Sequence, residues 1–374
     1  MSEKKIRVGI VGLSTERGWT AQAHLPALKA LPQFEIAAVA TTRQETADAS
    51  AKQFGIPHAF GNWRDMVAQK DIDLVIVSVK VPYHRELTLG AIAAGKHVFC
   101  EWPLGLNTAE AVEMQEAAKK AGVLNMVGLQ GRSNPTLNRV RDLVQEGQIG
   151  KVISATMIVS LANVGPKTPA TETYRADAAW GATALQVPTG HSVDALCYCL
   201  GEFKDLSAIV AVQHKETEVV GTGKTIPVTA PDQVLLSGTL ESGAVASVHI
   251  KIDMCVPTGV RFEINGTEGD IVVASRLPIG KAPVGTQRAE LAITMAKRGA
   301  DFAEVEVPAS YNIVPAEVPK GPPFYTAQLL ARMAEGIKSG KPVYPDFAAA
   351  VTRHRMLDAI QKASETGQRQ SYKI

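Results

Sequence analysis

Short apolar runs alternate with amphipathic segments over the first 130 residues of the chain. The runs at 6–13 and 74–79 are almost wholly apolar and rich in β-branched residues, which is typical of strands buried on both faces. The pattern predicts strands at 6–13, 34–40, 74–79, 97–100 and 125–129, and helices at 21–31, 45–54, 63–68, 84–94 and 109–121. Because strands and helices alternate, we expect an α/β fold, a doubly wound parallel sheet of the Rossmann type.

The pattern changes after Gly150, where strands follow one another at hairpin spacing. Strands are predicted at 152–160, 206–212, 234–240, 244–252, 261–264 and 271–274, with a helix at 191–200. Residues 277–323 are rich in Pro, Gly and Lys and receive no assignment, and helices at 325–339 and 348–366 follow them. We therefore expect a first domain at 1–130 and a second, α+β domain at 131–374 with a mostly antiparallel sheet, whose last helix is a candidate to pack back on the first domain.

Composition supports two globular domains and excludes several classes of partner. The 374 residues correspond to two or three domains of typical size, and the hydrophobic content of 45% excludes disorder. Lys and Arg number 39 against 37 Asp and Glu, a net charge of +2, so neither nucleic acid nor a membrane surface is expected as a partner. A small molecule is the expected partner.

The cysteines and the first residues indicate a reducing compartment. The four cysteines show no metal-ligand spacing, so we expect no metal and interpret them as small buried apolar residues. Residues 1–10 contain no apolar segment typical of a signal peptide, and no stretch approaches the length of a membrane span. A cytoplasmic location is expected.

The first strand ends in a turn that resembles a dinucleotide-binding loop without matching its usual pattern. Gly12 occupies the first glycine position, Ser14 stands at the second, and Gly18 comes one residue late. Ser14 is small and can hydrogen-bond a phosphate, so the turn still suits a pyrophosphate at the start of a helix. A glycine-bearing turn that binds no ligand is the alternative.

The end of the second strand carries no acidic residue to bind the ribose hydroxyl of NAD. Thr42 and Arg43 stand there instead, and a guanidinium suits a 2′-phosphate. This favours NADP over NAD, although Arg43 can equally be an exposed residue at the start of a helix.

Three later segments resemble one family. Residues 84–104, with the run AGKHVFCEWPL, residues 131–150, with an Arg and a Gly-Gln-Ile-Gly run, and residues 265–271 (NGTEGDI) resemble segments of the glucose–fructose oxidoreductase and inositol dehydrogenase (Gfo/Idh/MocA) family. The resemblance implies an N-terminal Rossmann domain that binds NAD(P), a C-terminal domain with a large open sheet, and homodimers or homotetramers built through that sheet.

The chain departs from the family where its chemistry is expected. The resemblance implies a catalytic lysine at the position of Trp102 and an aspartate at the position of Val187, and both are absent here. A Thr-Pro pair at the end of the third long strand is replaced by Val79 and Lys80. In these details the chain resembles the fungal galactose-pathway repressor branch, whose members bind the dinucleotide and act as regulators.

The candidate site residues follow from this resemblance and from the chemistry of the side chains. His191 is the expected base, because a neutral imidazole accepts a proton near neutral pH; a hydrogen-bonded histidine that moves no proton is the alternative. Asp194, one helical turn later, is expected to orient His191, to stabilise its charge or to contact the substrate. Lys80 could substitute for the missing lysine, but a phosphate contact is the favoured role. Arg132 is expected to clamp a substrate or cofactor, or else to form a buried salt bridge that fastens the two domains together. Further cofactor contacts are expected from Trp19, Val79, His84, Glu101 and Trp102, although His84 also suits a packing role.

Two main functions are compatible with these features, and the reduction of a conjugated non-sugar substrate without a dedicated protein acid is a third, lesser alternative. The first is an NAD(P)-dependent oxidoreductase that transfers a hydride between nicotinamide and a sugar, polyol or related compound. The second is a dinucleotide-binding regulator without catalysis. The loss of both the lysine and the aspartate supports the second.

Overall fold

The computed structural model describes residues 4–16, 18–162, 165–276 and 285–372. The chain divides into two compact units. Unit 1 comprises Met1–Leu129 and Asn312–Val351, and unit 2 comprises Gln130–Tyr311 and Thr352–Ile374. Residues 312–351 were expected in the second domain, apart from the last helix, for which packing on the first domain was an alternative, but they belong to unit 1. The last helix, Phe347–Thr366, is shared between the units at Val351.

Unit 1 is built on a six-stranded parallel sheet. Its strands are β1 (Ile6–Val11), β2 (Phe34–Ala40), β3 (His58–Phe60), β4 (Leu74–Val77), β5 (His97–Glu101) and β6 (Asn125–Gly128). The sheet order is β3-β2-β1-β4-β5-β6, and every neighbouring pair is parallel. The order in which strands are added to the sheet reverses between β1 and β4. At such a reversal point, open parallel sheets form a ligand crevice at the carboxyl ends of their strands.

Nine α-helices occur in the described part of the chain. They are α1 (Leu25–Ala30), α2 (Gln44–Phe54), α3 (Trp63–Val67), α4 (His84–Ala93), α5 (Thr108–Ala121), α6 (Pro135–Gln145), α7 (Gly190–Leu200), α8 (Pro322–Ser339) and α9 (Phe347–Thr366). Local signals set several ends: the side chain of Asn107 caps the start of α5, and Gly55 and Gly122 end α2 and α5 in the left-handed conformation. The predicted strands and helices of residues 1–130 lie within two residues of their observed ends, with one exception: the helix predicted at 21–31 is a π-helical turn, Thr20–His24, followed by α1. Strand β3 and helix α6 were not predicted.

The core of unit 1 explains why residues 312–351 belong to it. Val8, Ile10 and Ile76 are fully buried in the sheet, and Leu329 and Met333 of α8 belong to the same buried apolar cluster. Hydrophobic burial of this kind depends on the apolar face of α8 and not on its position in the chain, which is why chain order alone misplaced it.

Unit 2 is built on an eight-stranded sheet. Its strands are β7 (Val152–Ser160), β9 (Phe203–Ala211), β12 (Gln233–Leu240), β13 (Val245–Lys251), β14 (Gly259–Gly266), β15 (Gly269–Ser275), β16 (Leu291–Lys297) and β17 (Ala303–Val305). The order is β17-β16-β15-β14-β7-β13-β12-β9, and only the β7–β13 pair is parallel. The predicted mostly antiparallel sheet is therefore confirmed, and it gains β16 and β17 from the unassigned segment 277–323, of which 277–284 lie outside the described residues.

A second, smaller sheet joins β8 (Lys167–Thr168), β10 (Glu216–Val219) and β11 (Lys224–Pro227). One face of the large sheet exposes apolar side chains, with Ile209 59% and Val245 57% exposed.

Cys100, Cys197 and Cys199 are buried as expected, but Cys255 is exposed. No helix in the described part of the chain is long and apolar enough to cross a membrane.

Candidate functional site

The turn after β1 passes very close to the end of β4, and Gly12 makes this approach possible. Gly12 has a φ of +95°, and a Cβ added there would lie 2.5 Å from both the carbonyl oxygen of Ser78 and a methyl carbon of Val79. The amide of Gly12 donates to the carbonyl oxygen of Ala40 at 3.1 Å. The turn is therefore held at the point where β1, β2 and β4 end.

The rest of the turn exposes small residues. Ser14 is exposed, and its hydroxyl accepts a hydrogen bond from the amide of Glu16 at 3.2 Å. Gly18 has a φ of +122°, and a Cβ there would meet nothing within 4 Å. Arg17, between them, lies outside the described residues. An open turn with exposed small residues leaves room for a phosphate group to approach the backbone.

The end of β2 presents a cation and no carboxylate. Thr42 and Arg43 are exposed at the start of α2, and Thr41 donates its hydroxyl to the carbonyl oxygen of Arg43 at 2.9 Å. Among the described residues, the Arg43 guanidinium makes no hydrogen bond or ion pair. It is available to a ligand.

Glu101, at the end of β5, contacts two side chains from the segment that follows the first turn. The indole nitrogen of Trp19 donates to its Oε1 at 3.0 Å, and Nε2 of His24 lies 2.5 Å from the same oxygen. His24 is fully buried and packs edge-on against Phe99. Glu101 therefore positions Trp19 beside the turn, while its expected contact with the cofactor stays a prediction.

His84 is buried, and both of its ring nitrogens face backbone carbonyl oxygens. Nδ1 lies 2.8 Å from the oxygen of Pro103, and Nε2 lies 3.0 Å from that of Val79. A carbonyl oxygen only accepts hydrogen bonds, so this environment favours a ring that carries both protons. Burial opposes protonation, but Cys100 and the two carbonyls raise the pKa of His84 to about 9. Both ring nitrogens are engaged with the backbone, as the alternative packing role requires.

This charged histidine makes the stability of the protein depend on pH. The folded pKa of about 9 lies above the ordinary value of 6.5, so the stabilisation is complete below pH 6.5 and is lost as the pH rises through 9. Relative to His84→Gln, the wild-type chain is expected to lose about 2–3 kcal/mol of unfolding free energy between these values. Urea unfolding at both pH values measures this, with the exposed His58→Gln as the control. Parallel pH curves for wild type and H84Q would refute a charged His84.

Lys80 and Trp102 follow the ends of β4 and β5. Lys80 is exposed and precedes the short helical turn Val81–Tyr83. Trp102 is only 5% exposed. Its expected contact with the cofactor would therefore use only a small part of the indole surface.

In unit 2, His191 lies in the first turn of α7. It is 5% exposed, and its backbone carbonyl accepts a hydrogen bond from the Thr286 hydroxyl at 3.3 Å. Asp194, one turn later, is 1% exposed. Two guanidinium groups hold it: Arg132 donates to both carboxylate oxygens, at 2.9 and 2.7 Å, and Arg353 donates at 3.3 Å.

These contacts assign Arg132 and Asp194 a structural role within unit 2. Burial favours the neutral form of Asp194, but Arg132 and Arg353 hold its pKa below the usual value. Arg132 thus forms a buried salt bridge, but within unit 2 and not between the two domains as the alternative had it. Its contact with a substrate or cofactor stays a prediction. Asp194 remains charged close to His191, and its action on His191 or on a substrate likewise stays a prediction.

Sequence reasoning missed Arg353, which is fully buried in α9. It also forms a two-bond salt bridge with Glu202, at 3.1 and 2.7 Å, and the hydroxyl of Tyr372 donates to Glu202 at 2.8 Å. One signal was present: Arg353 falls at helical spacing from the buried Ala350 and Met356. A cation at an apolar helical position indicates a buried partner.

The parallel sheet, the glycine turn at its reversal point and the second unit with a large sheet define the architecture of an NAD-binding oxidoreductase. Residues 6–129 match the family described as "Oxidoreductase family, NAD-binding Rossmann fold", and residues 135–275 match the C-terminal domain of Gal80p. The chain belongs to the Gfo/Idh/MocA oxidoreductase family.

Characterised relatives include both enzymes and a regulator. The chain is 32% identical to 1,5-anhydro-D-fructose reductase of Ensifer adhaerens over 282 residues, which cover 75% of this chain and 78% of that protein. It is 27% identical to dehydrogenase aclE of Aspergillus oryzae, with 99% of each chain covered. It is 28% identical to the galactose/lactose metabolism regulatory protein GAL80 of Saccharomyces cerevisiae, with 71% of this chain and 66% of GAL80 covered.

Solved structures share the fold. Levoglucosan dehydrogenase in complex with NADH and L-sorbose aligns with a TM-score of 0.85 at 24% identity, covering 99% of this chain and 100% of that one. A super-repressor mutant of Gal80p from Saccharomyces cerevisiae aligns with a TM-score of 0.86 at 22% identity, covering 98% of both chains. Because an enzyme and a repressor align equally well, the fold does not separate catalysis from regulation.

Proposed function

We propose that this protein is an NAD(P)-dependent oxidoreductase that interconverts a hydroxyl and a carbonyl group on a sugar, polyol or related compound. The observation that carries the proposal is the Gly12 turn at the reversal point of the Rossmann sheet, in a chain that is 32% identical to 1,5-anhydro-D-fructose reductase. Levoglucosan dehydrogenase, with the same fold, binds NADH and L-sorbose and supports a carbohydrate-like substrate.

The residues at the carboxyl ends of the strands fit a dinucleotide. Gly12 has no side chain to block the backbone, and Ser14 and Gly18 are exposed in the turn that would receive the pyrophosphate. Exposed Lys80 is assigned a phosphate contact, and Glu101 holds Trp19 beside the same turn. When bound, the nicotinamide ring supplies or accepts the hydride.

His191 is assigned as the base that removes the proton of the substrate hydroxyl. Trp102 occupies the position where the family resemblance implies a lysine, and an indole transfers no proton. Proton transfer therefore falls to the imidazole of His191. Asp194 stays ionised near it, so its negative charge stabilises the imidazolium that forms.

Arg43 leads us to infer a preference for NADP(H). Its exposed guanidinium has no partner among the described residues and suits a 2′-phosphate. Levoglucosan dehydrogenase, which was solved in complex with NADH, supports a preference for NAD(H) instead. The affinities of the protein for NADPH and NADH distinguish the two preferences.

The variant Arg43→Ala is expected to weaken NADPH binding at least about tenfold, because a charge-assisted hydrogen bond is lost. NADH binding should stay within about twofold. Quenching of tryptophan fluorescence measures both affinities. Lys52→Ala, which removes an exposed cation from the same helix, is the matched control. Equal NADPH affinity in wild type and R43A would refute the contact.

A second candidate function is a dinucleotide-binding regulator of the Gal80 type. The match of residues 135–275 to the C-terminal domain of Gal80p and the presence of Trp102 favour it. In such a protein the same turn would bind the dinucleotide without turnover.

One experiment separates the two functions. The purified chain is titrated with NADH and NADPH, and then assayed for a change in nicotinamide absorbance with levoglucosan, L-sorbose, 1,5-anhydro-D-fructose and a panel of polyols. Turnover with any of these supports the oxidoreductase. Tight binding of the dinucleotide without turnover across the panel overturns it and leaves the regulator.

We also propose that copies of the chain associate through the open face of the large sheet, in a homodimer or homotetramer. This face exposes Ile209, Leu235 and Val245 on neighbouring strands, and exposed apolar patches of this kind commonly mark interfaces.

A further inference from the structure

Three side chains outside the dinucleotide turn come together at one end of the large sheet. The register pairs Ala211 of β9 with Gln233 of β12, and Gln233 with Lys251 of β13, so these residues form one row across three strands. His214 lies three residues beyond the end of β9, Asp232 immediately precedes β12, and Asp253 lies two residues beyond β13. The topology therefore brings residues from three separate chain segments to one place.

The three side chains converge on a small volume. One potential ligand atom from each of His214, Asp232 and Asp253 lies within 4.8 Å of the other two. Nδ1 of His214 is 3.4 Å from Oδ2 of Asp232 and 3.8 Å from Oδ2 of Asp253. Around a metal ion with ligand distances of about 2.0–2.2 Å, neighbouring ligand atoms are about 3–3.5 Å apart, so small side-chain rotations would suffice.

The two carboxylates are buried and incompletely satisfied. The Asp232 side chain is 2% exposed and that of Asp253 is 4% exposed. Oδ1 of each lacks a hydrogen-bond partner among the described residues, as does Nδ1 of His214. Buried carboxylate oxygens without donors are costly, and a cation would satisfy both at once.

The surrounding backbone holds these groups in place. Oδ2 of Asp232 accepts hydrogen bonds from the amides of Gln213 and His214, both at 2.8 Å. Asp253 has a φ of +67°, and the amide of the next residue, Met254, donates to the carbonyl oxygen of Leu161 at 3.0 Å. Burial and the nearby Asp232 raise the pKa of Asp253 to about 7, with His214 opposing them, which reflects the cost of two close negative charges.

We propose that His214, Asp232 and Asp253 form a binding site for one divalent cation of the Zn²⁺ class. One imidazole nitrogen and two carboxylates are a ligand set that Zn²⁺ accepts, whereas Mg²⁺ and Ca²⁺ prefer oxygen ligands alone. The bound ion joins the ends of β9, β12 and β13. It thereby anchors both ends of the segment 212–232, which contains the β10–β11 hairpin.

The experiment uses the full chain, stripped of metal with a chelator and titrated with ZnCl₂ by calorimetry. We expect one Zn²⁺ per chain, and at least about tenfold weaker binding in His214→Ala and in Asp253→Asn. Asp301→Asn, which removes an exposed carboxylate elsewhere in unit 2, should leave the affinity unchanged. His214 is half-exposed, so H214A is expected to fold even if a buried aspartate variant does not.

Two further measurements connect any binding to this site. Hydrogen exchange of the amides in segment 212–232 should slow when Zn²⁺ is added to wild type and should not change in H214A. MgCl₂ should give no comparable protection. Absence of Zn²⁺ binding would overturn the proposal. Equal Zn²⁺ affinity in wild type, H214A and D253N would also overturn it, because the ion would then bind at a surface site elsewhere. Neither result depends on dinucleotide binding or turnover.

Discussion

Replacing His191 with asparagine is expected to reduce kcat about 100- to 10,000-fold, which is the usual contribution of a general base. His191 is 5% exposed, and Trp102 provides no substitute for the proton transfer. Asparagine keeps a polar side chain of similar size but accepts no proton at neutral pH. The affinity for the dinucleotide, which the turn of unit 1 is proposed to bind, should remain within about twofold of wild type.

The measurement is steady-state oxidation of the best substrate across pH, with dinucleotide affinity measured in parallel. The wild-type kcat/KM should fall at low pH as the imidazole becomes protonated, and H191N should lack this acidic decline. His249→Asn, a half-buried histidine on β13, is the control for general effects of losing an imidazole. Undiminished turnover in H191N would remove His191 from the mechanism even if the protein proves to be an oxidoreductase.

Replacing Arg353 with methionine is expected to lower the unfolding free energy of unit 2 by about 3–5 kcal/mol. The guanidinium is fully buried and donates to Asp194 and to both oxygens of Glu202. Methionine fills a similar volume but leaves Glu202 with only the Tyr372 hydroxyl and the Cys197 thiol among its described donors. The cost therefore comes from stranding buried negative charge and not from a cavity.

Because the chain has two units, the stability of unit 2 is best followed by hydrogen exchange of the slowest amides in α7. Arg355→Met, an exposed arginine on the same helix, should change this stability by less than about 0.5 kcal/mol. An effect of R353M as small as that of R355M would show that the network contributes little. Arg353→Lys separates charge from geometry, since lysine retains the charge without the two-pronged contact.

Much of the local structure was predictable because its causes are local. The ends of β2 and β7 lie where the apolar runs begin and stop, and Gly55 and Gly122 end helices as left-handed caps. Strand β3 was missed because three residues are too few to show a period.

The candidate site was predicted less completely. The Gly12 turn, exposed Arg43 and the position of His191 agree with the residue patterns. A packing role for His84 and a buried salt bridge for Arg132 were among the alternatives, but the partners of these residues and of Glu101 were not identified, because only folding brings them near. Glu101 meets Trp19 across 82 positions of the chain, and Arg132 meets Asp194 across 62.

The sequence by itself determined the alternation of strands and helices, the parallel sheet of unit 1 and the glycine turn, since each follows from the apolar pattern or backbone freedom of adjacent residues. Only the tertiary structure decided that Asn312–Val351 return to unit 1, that Arg353 joins Asp194 and Glu202, and that His214, Asp232 and Asp253 meet. The physical reason is that burial and charge pairing act through space, between side chains whose separation along the chain leaves no local pattern.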